Sequence, residues 1–451
     1  MASLVIEADW ILPVESPAIR GGFLVAQDGL IRYFGNQLPE IYENLPRVRL
    51  RDGAILPGLI NTHCHLELSD IDRPLEVPSR EHVKGEVGSM VGWLSQIMAR
   101  RKVAAELGLD IAKIKRHAIE LGIREAWGTG TRLVVDNVTA PWLAQWNRSS
   151  AMDVCQTSSS ESWRTLVGDL PIYIKSCIEL VDVTHSRQEQ TWDFALGRIQ
   201  EELDSQGASW PPMGLAPHAP YTASKQIVAK AAEVCRQTHR LLSMHLAESI
   251  EEIEYAEERQ GAFRAWISPW IDSEHARHIG TIDEYLELLC GTHRALIAHG
   301  NYLCDRQIGF LSRYRDRIAI VYCPRTHRHF RHAEHPAGRL RNVGVRVFLG
   351  TDSRGSNPDL SLFEEWKTAC GSFPDQSPKY WMSACTTEPA RFLEIENTIG
   401  TIRVGSKSLM TWVPLGDSQL GSEDQVWQAM LASEQAVPLE QQVLVSELEV
   451  K

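Results

Sequence analysis

Eight short apolar runs punctuate residues 54 to 352: AILPGLINT, RLVVDNVT, IYIKSCIEL, MGLAPH, RLLSMH, ALIAH, IAIVYCP and VRVFLGTD. Most are separated by amphipathic stretches such as DIAKIKRHAIELGIREAW, SKQIVAKAAEVCRQTH and EEIEYAEERQGAFRAWI. Strands that alternate with helices build a parallel sheet, because each return to the same sheet edge needs a crossover. Eight such units favour a closed (β/α)₈ TIM-type barrel over an open doubly wound sheet, an α/β fold in either case. No GxGxxG or GxxxxGK loop follows any run, which weighs against a nucleotide cofactor.

The two ends of the chain read differently. SLVIEADWILPV, GGFLVAQDGLIRYFG and VRLRDGAIL near the start are short β-branched and aromatic runs broken by turn residues. NTIGTIRVGSKSLMTWVPL and QQVLVSELEV near the end resemble them. The economical arrangement is one small β-sandwich domain built from residues 1–56 and 395–451, with the barrel, residues 57–394, inserted between them. The Ser-rich segment from about 141 to 165 reads as an irregular excursion.

Charge narrows the function classes. With 46 basic and 58 acidic residues the net charge is −12, which disfavours nucleic acid and anionic membrane as partners. No apolar run approaches the roughly 18 residues that a membrane helix requires. MASLVIEADWILPVES has neither a basic n-region nor a small-residue cleavage site, and nine scattered cysteines without a CxxC pair suit reduced thiols. A cytoplasmic enzyme of small molecules is expected, with a homodimer left open.

Polar residues cluster where the runs end. His63 and His65 close the first run and, two apart on a strand, face the same side, while Cys64 faces away. His218 closes the fourth, His245 the fifth with Glu248 three residues on, His299 the sixth, and Asp352 the eighth. In a barrel the strand C-termini share one mouth. Imidazole and carboxylate suit Zn²⁺ or a similar ion, which can bring the pKa of water down to about 7. A carboxylate just past a ligand strand, as Glu248 is, could then move the proton.

PGLINTHCH, PHAPY, HLAES, AHGNY and GTDS, in that order, resemble the amidohydrolase superfamily. More narrowly they resemble its mononuclear branch of cyclic deaminases and chlorohydrolases. The likeness extends to the closing GTIRVGSKSLMTWV. It implies one divalent metal ion, Zn²⁺ with Fe²⁺ as the alternative, held by His63, His65, His245 and Asp352. It further implies Glu248 as proton shuttle, His299 and Asp352 as partners in the chemistry, and His218 as a substrate contact. The reaction implied is deamination of an aminated heteroaromatic ring by metal-bound hydroxide, with an aminodeoxyfutalosine- or S-adenosylhomocysteine-like 6-aminopurine nucleoside as substrate. The alternatives are a chlorohydrolase or amide hydrolase on the same machinery, and a non-catalytic metal-binding scaffold.

Three further residues are candidate substrate contacts. Glu67 lies just beyond the paired histidines, where an acid could read ribose hydroxyls, or instead cap a helix or pair with an arginine. Trp93, in VGWLSQIMARR, is a pocket aromatic or helix core. RTHRHFRHAEHP, residues 325–336, reads as a loop after the seventh strand, from which Arg325 or His327 could reach substrate.

Overall fold

The computed structural model describes residues 3–79, 87–139, 170–204, 211–271, 276–416 and 420–449. The Ser-rich excursion falls outside these residues. All eight apolar runs form strands: β5 (Leu59–Cys64), β6 (Thr131–Thr139), β7 (Tyr173–Leu180), β8 (Gly214–Pro217), β9 (Leu241–Leu246), β10 (Arg294–His299), β11 (Ile318–Tyr322) and β12 (Arg346–Leu349). They pair in sequence order in one eight-stranded parallel sheet. Alternate side chains take opposite sides, as strand geometry requires. Leu133 and Val135 join Leu296, Val321 and Phe348 in one core cluster, whereas Val134 packs with Ile119 and Ile123 of the helix Ile111–Gly128.

The eighth strand closes onto the first. Thr62 donates to the carbonyl of Leu349 at 2.9 Å, and the backbone amides of Thr351 and Asp352 both donate to His63 O at 3.1 Å. The seam of the barrel is thus stitched by the segments that carry His63 and Asp352.

Both chain ends meet in a second, mixed sheet of six strands. Its members are β1 (Leu4–Ile11), β2 (Ile19–Gln27), β3 (Leu30–Gly35), β4 (Arg47–Pro57), β13 (Met410–Pro414) and β14 (Val437–Pro438). Asp28 and Gly29, at φ 53° and 73°, make the tight β2–β3 turn. One residue, Gly58, joins this sheet to the barrel. A Cβ there would lie 2.3 Å from Cγ of Arg132 and 2.6 Å from Leu409 O, so the junction admits no side chain.

Three local expectations are corrected. QQVLVSELEV is not a strand but lies in the helix Leu439–Glu449. Leu439 and Val443, one helical turn apart, enter the sheet's core, while Leu444 and Val445 face solvent. EEIEYAEERQGAFRAWI is two helices, Ile250–Glu258 and Gly261–Ile267, broken at left-handed Arg259 and Gly261. RTHRHFRHAEHP opens as a short helix, Pro324–His329, with proline in its first turn, where the missing N–H costs nothing.

Candidate active site

The C-terminal ends of the strands gather the predicted residues around one point. Nε2 of His65 and Nε2 of His245 are 3.0 Å apart. Nε2 of His63 and of His65 each lie 3.7 Å from Oδ1 of Asp352. The His63 ring centroid is 5.0 Å from that of His65 and 4.8 Å from that of His245. Neither ring nitrogen of His63 has a hydrogen-bond partner among the described residues, although the side chain is 1% exposed.

These side chains are oriented by their surroundings. Nδ1 of His245 donates to His218 O at 2.8 Å, which leaves Nε2 with its lone pair toward the gap. Ser356 donates to Oδ2 of Asp352 at 2.7 Å, so Oδ1 faces the imidazoles. Burial, with added repulsion from neighbouring imidazoles, lowers His245 and His65 to about 3 and holds His63 well below the ordinary imidazole value. Burial pushes Asp352 up to about 7. Three neutral imidazoles and a carboxyl starved of positive charge, their free atoms converging, fit a divalent cation.

Backbone strain marks the same rim. Ala247, His299 and Asp352, each just at or beyond a strand end, have φ of 54°, 69° and 56°. This left-handed region is costly for non-glycine residues and persists where the fold holds it. His335 Nε2 donates to His299 O at 2.8 Å, and the amide of His65 donates to Asp352 O at 3.4 Å.

Glu248 stands beside the cluster. Its amide donates to Oε2 of Glu252 at 2.9 Å, and its carbonyl accepts from Asn301 Nδ2 at 2.9 Å, so the backbone that aims it is fixed at both ends. Oε1 is 3.3 Å from Nε2 of His299. Burial, followed by the nearby carboxyls of Asp352 and Glu252, holds Glu248 well above the usual carboxylate range. An acid raised in this way gives up its proton less readily than an ordinary carboxyl, which suits a group that must carry one.

A cavity of about 420 Å³ opens on these residues. The helix Met90–Glu106 supplies an apolar wall through Trp93, Ile97 and Met98, faced by Phe330, Trp266 and Trp270. Trp93 lines the cavity, and its Nε1 donates to Gly355 O at 2.9 Å. Glu251 pins the start of this helix, accepting from Met90 N at 2.6 Å and Ser89 Oγ at 2.8 Å. His218 also lines the cavity, its Nδ1 2.5 Å from Thr222 Oγ1.

Glu67 lines the cavity but is engaged within the fold. Arg101 binds Oε1, and Thr139 and Lys115 bind Oε2, the last at 3.0 Å. Burial alone would raise it, yet Lys115, Arg101 and the Thr139 hydroxyl outweigh burial and hold it at about 2. Arg325 lies away from the cavity. Its Nε donates to Glu365 at 2.7 Å and Nη2 to Asp359 at 2.8 Å, a tie between the segments after β11 and β12. Of the histidines that follow it, the His327 ring centroid lies 5.4 Å from that of His332 and 5.8 Å from that of His335, while His329 bonds Leu75 O, His332 the Tyr302 hydroxyl and His335 the His299 carbonyl.

Sequence reasoning passed over Arg101, Glu179 and Arg187, which line the cavity's polar side. Glu179 had a signal: it is an acid within a run, IYIKSCIEL, that is otherwise almost wholly apolar at its end. Burial, then the charge of Glu67, raises it to about 8. Among the described residues no helix is long and apolar enough to cross a membrane.

The profile of the amidohydrolase family matches residues 54–413. The 5-methylthioadenosine/S-adenosylhomocysteine deaminase of Moorella thermoacetica is 22% identical over 444 residues, covering 93% of this chain and 87% of that one. The adenosine deaminase of Helicobacter pylori is 22% identical over 325 residues, 72% of this chain and 69% of the other. Among solved structures, Helicobacter pylori aminofutalosine deaminase in complex with methylthio-coformycin aligns with a TM-score of 0.75 and 20% identity, over 96% of this chain and 97% of that one. Atrazine chlorohydrolase from Arthrobacter aurescens, complexed with zinc, aligns with a TM-score of 0.72 and 15% identity, over 99% and 100%.

Proposed function

Because this chain belongs to the amidohydrolase family, we propose that it is a zinc-dependent deaminase of a 6-aminopurine nucleoside. The observation that carries the reading is the convergence of His63, His65, His245 and Asp352 on one point, with Glu248 beside it and a cavity large enough for a nucleoside. Relatives named as adenosine and methylthioadenosine/S-adenosylhomocysteine deaminases support the substrate class.

His63, His65, His245 and Asp352 would hold the ion, which when bound supplies Lewis acidity that makes water reactive near neutral pH. Glu248 takes a proton from the attacking water and delivers it to the ring nitrogen next to the amine-bearing carbon. The oxygen bonds to that carbon. His299, 3.3 Å from Glu248, steadies the attacking oxygen and the charge that develops there. As the tetrahedral adduct collapses, the proton still on the added oxygen passes through Asp352 to the amine, which leaves as ammonia. The net change is water in, ammonia out, and a ring C–NH₂ converted to a ring carbonyl. His218 guides the ring from the end of β8, and Trp93 with Phe330 offers a wall for the rest of the nucleoside.

The test is ammonia release from adenosine, S-adenosylhomocysteine, methylthioadenosine, aminodeoxyfutalosine and guanine. Ammonia from a 6-aminopurine nucleoside is the expected result. Chloride from a chlorotriazine, or a carboxylic acid from an amide, with no ammonia from any of the five, would overturn it.

A further inference from the structure

One acid in the cavity has no part in the chemistry above. Glu179, near the end of β7, is 6% exposed, and its Oε1 has no hydrogen-bond partner among the described residues. The nearest imidazole nitrogen, Nε2 of His218, is 4.0 Å away, too far for a hydrogen bond. Buried polar atoms are nearly always paired, because leaving one unpaired forfeits its hydrogen bond to water without replacement. Glu67, on the same side of the cavity, shows the ordinary outcome, with both its oxygens bound by neighbours. Glu179 instead faces the cavity. Its partner is therefore sought in what the cavity binds.

The barrel order says which part of a substrate that is. Glu248 follows β9 and leans toward His299 on β10, whereas Glu179 ends β7 next to His218 at the end of β8. One carboxyl oxygen of Glu179 and one nitrogen each of His218 and His245 lie within 4.8 Å of one another. In strand order the two acids therefore stand on either side of His245. A planar ring whose reacting carbon sits over this point offers one flank to each. In a 6-aminopurine the reacting carbon, C6, is bonded to N1 on one side and to C5 on the other, and C5 carries N7. With Glu248 serving N1, Glu179 meets N7.

We propose that Glu179 is a specificity-determining residue that hydrogen-bonds N7 of the purine. N7 carries a lone pair and no hydrogen, so the carboxyl donates its O–H to it. This inference rests on the deaminase reading but reaches beyond it, because a deaminase of pyrimidines or triazines would have no N7 for Glu179 to meet.

The experiment compares kcat/KM for adenosine and 7-deazaadenosine, in which a C–H replaces N7, in the wild-type, Glu179→Gln and Glu179→Leu enzymes. The wild type should favour adenosine by roughly 10–100-fold, the worth of one buried hydrogen bond. Glu179→Gln, whose amide still donates, should keep most of that preference. Glu179→Leu should bring the two substrates to within about 3-fold, through loss on adenosine alone. If the leucine variant turns over neither substrate measurably, the same comparison is made by calorimetric titration of purine riboside and its 7-deaza counterpart. An equal preference in the wild type and Glu179→Leu, or no preference in the wild type, overturns the inference and leaves the deaminase reading standing. No ammonia from any aminopurine nucleoside overturns both.

Discussion

The two ends of the barrel use buried polar groups in opposite ways. Where the strands begin, cation meets anion. Arg132, with a fully buried side chain, reaches both oxygens of Glu440 at 2.5 Å and the carbonyl of Met410 at 2.6 Å. Arg240 likewise meets Glu202 and the carbonyl of Met213 at 2.8 Å. Where the strands end, Glu67 and Arg325 keep such partners, but several polar groups beside them do not. Both nitrogens of His63, Nε2 of His299 and Oε1 of Glu179 make no hydrogen bond among the described residues, and three residues at the rim carry positive φ. One end has been closed for stability, and the other holds unmet bonding capacity and strain, the condition expected of a site that binds and reacts.

This contrast can be broken by substitution, and the largest effect is expected at the mouth. Glu248→Gln should lower kcat by about 10²–10⁴-fold, as loss of one proton-transfer group does, while thermal unfolding stays unchanged or shifts upward. A variant that keeps most of its activity would remove Glu248 from the chemistry. At the opposite end Glu440→Ala strands the Arg132 guanidinium, and the fold should lose about 3–5 kcal/mol in denaturant unfolding while kcat and KM per folded molecule hold steady. A changed KM there would mean that the two ends are not separate. Arg325→Met sharpens the division at the mouth itself. Because Glu365 and Asp359 occupy its guanidinium, stability should fall by several kcal/mol and KM for the best nucleoside should not move.

A smaller pair of changes probes the C-terminal helix that covers the end sheet. Leu439→Ala should cost about 2–5 kcal/mol, because that side chain is wholly buried. Leu444→Ala should stay within about 0.5 kcal/mol, since its side chain is 61% exposed. Equal effects would argue that the segment is a strand after all.

The same contrast explains what the sequence disclosed. Strand-end residues such as His63, His245 and Asp352 were legible because a polar side chain closing an apolar run stands out locally, and the barrel brings all such ends together. QQVLVSELEV misleads because its β-branched valines alternate like a strand, and only the sheet that buries Leu439 and Val443 decides for a helix. Arg325 could be mistaken for a cavity residue because its partners, Asp359 and Glu365, lie 34 and 40 residues away. Arg101 reaches Glu67 from 34 residues away, and nothing in its own neighbourhood foretells it. Side chains that serve where they stand can be read from local pattern, and those that reach across the fold cannot.

The central claim is that the four converging groups at the mouth hold one catalytic ion. Its most direct test strips the protein with a chelator, adds Zn²⁺ stepwise, and follows bound metal together with ammonia release. The account predicts that activity rises with zinc and levels off at one ion per chain, and that His63→Ala binds none at that site and stays inactive. A stripped protein that retains full activity, or a His63→Ala variant that takes up zinc and recovers as the wild type does, would contradict it.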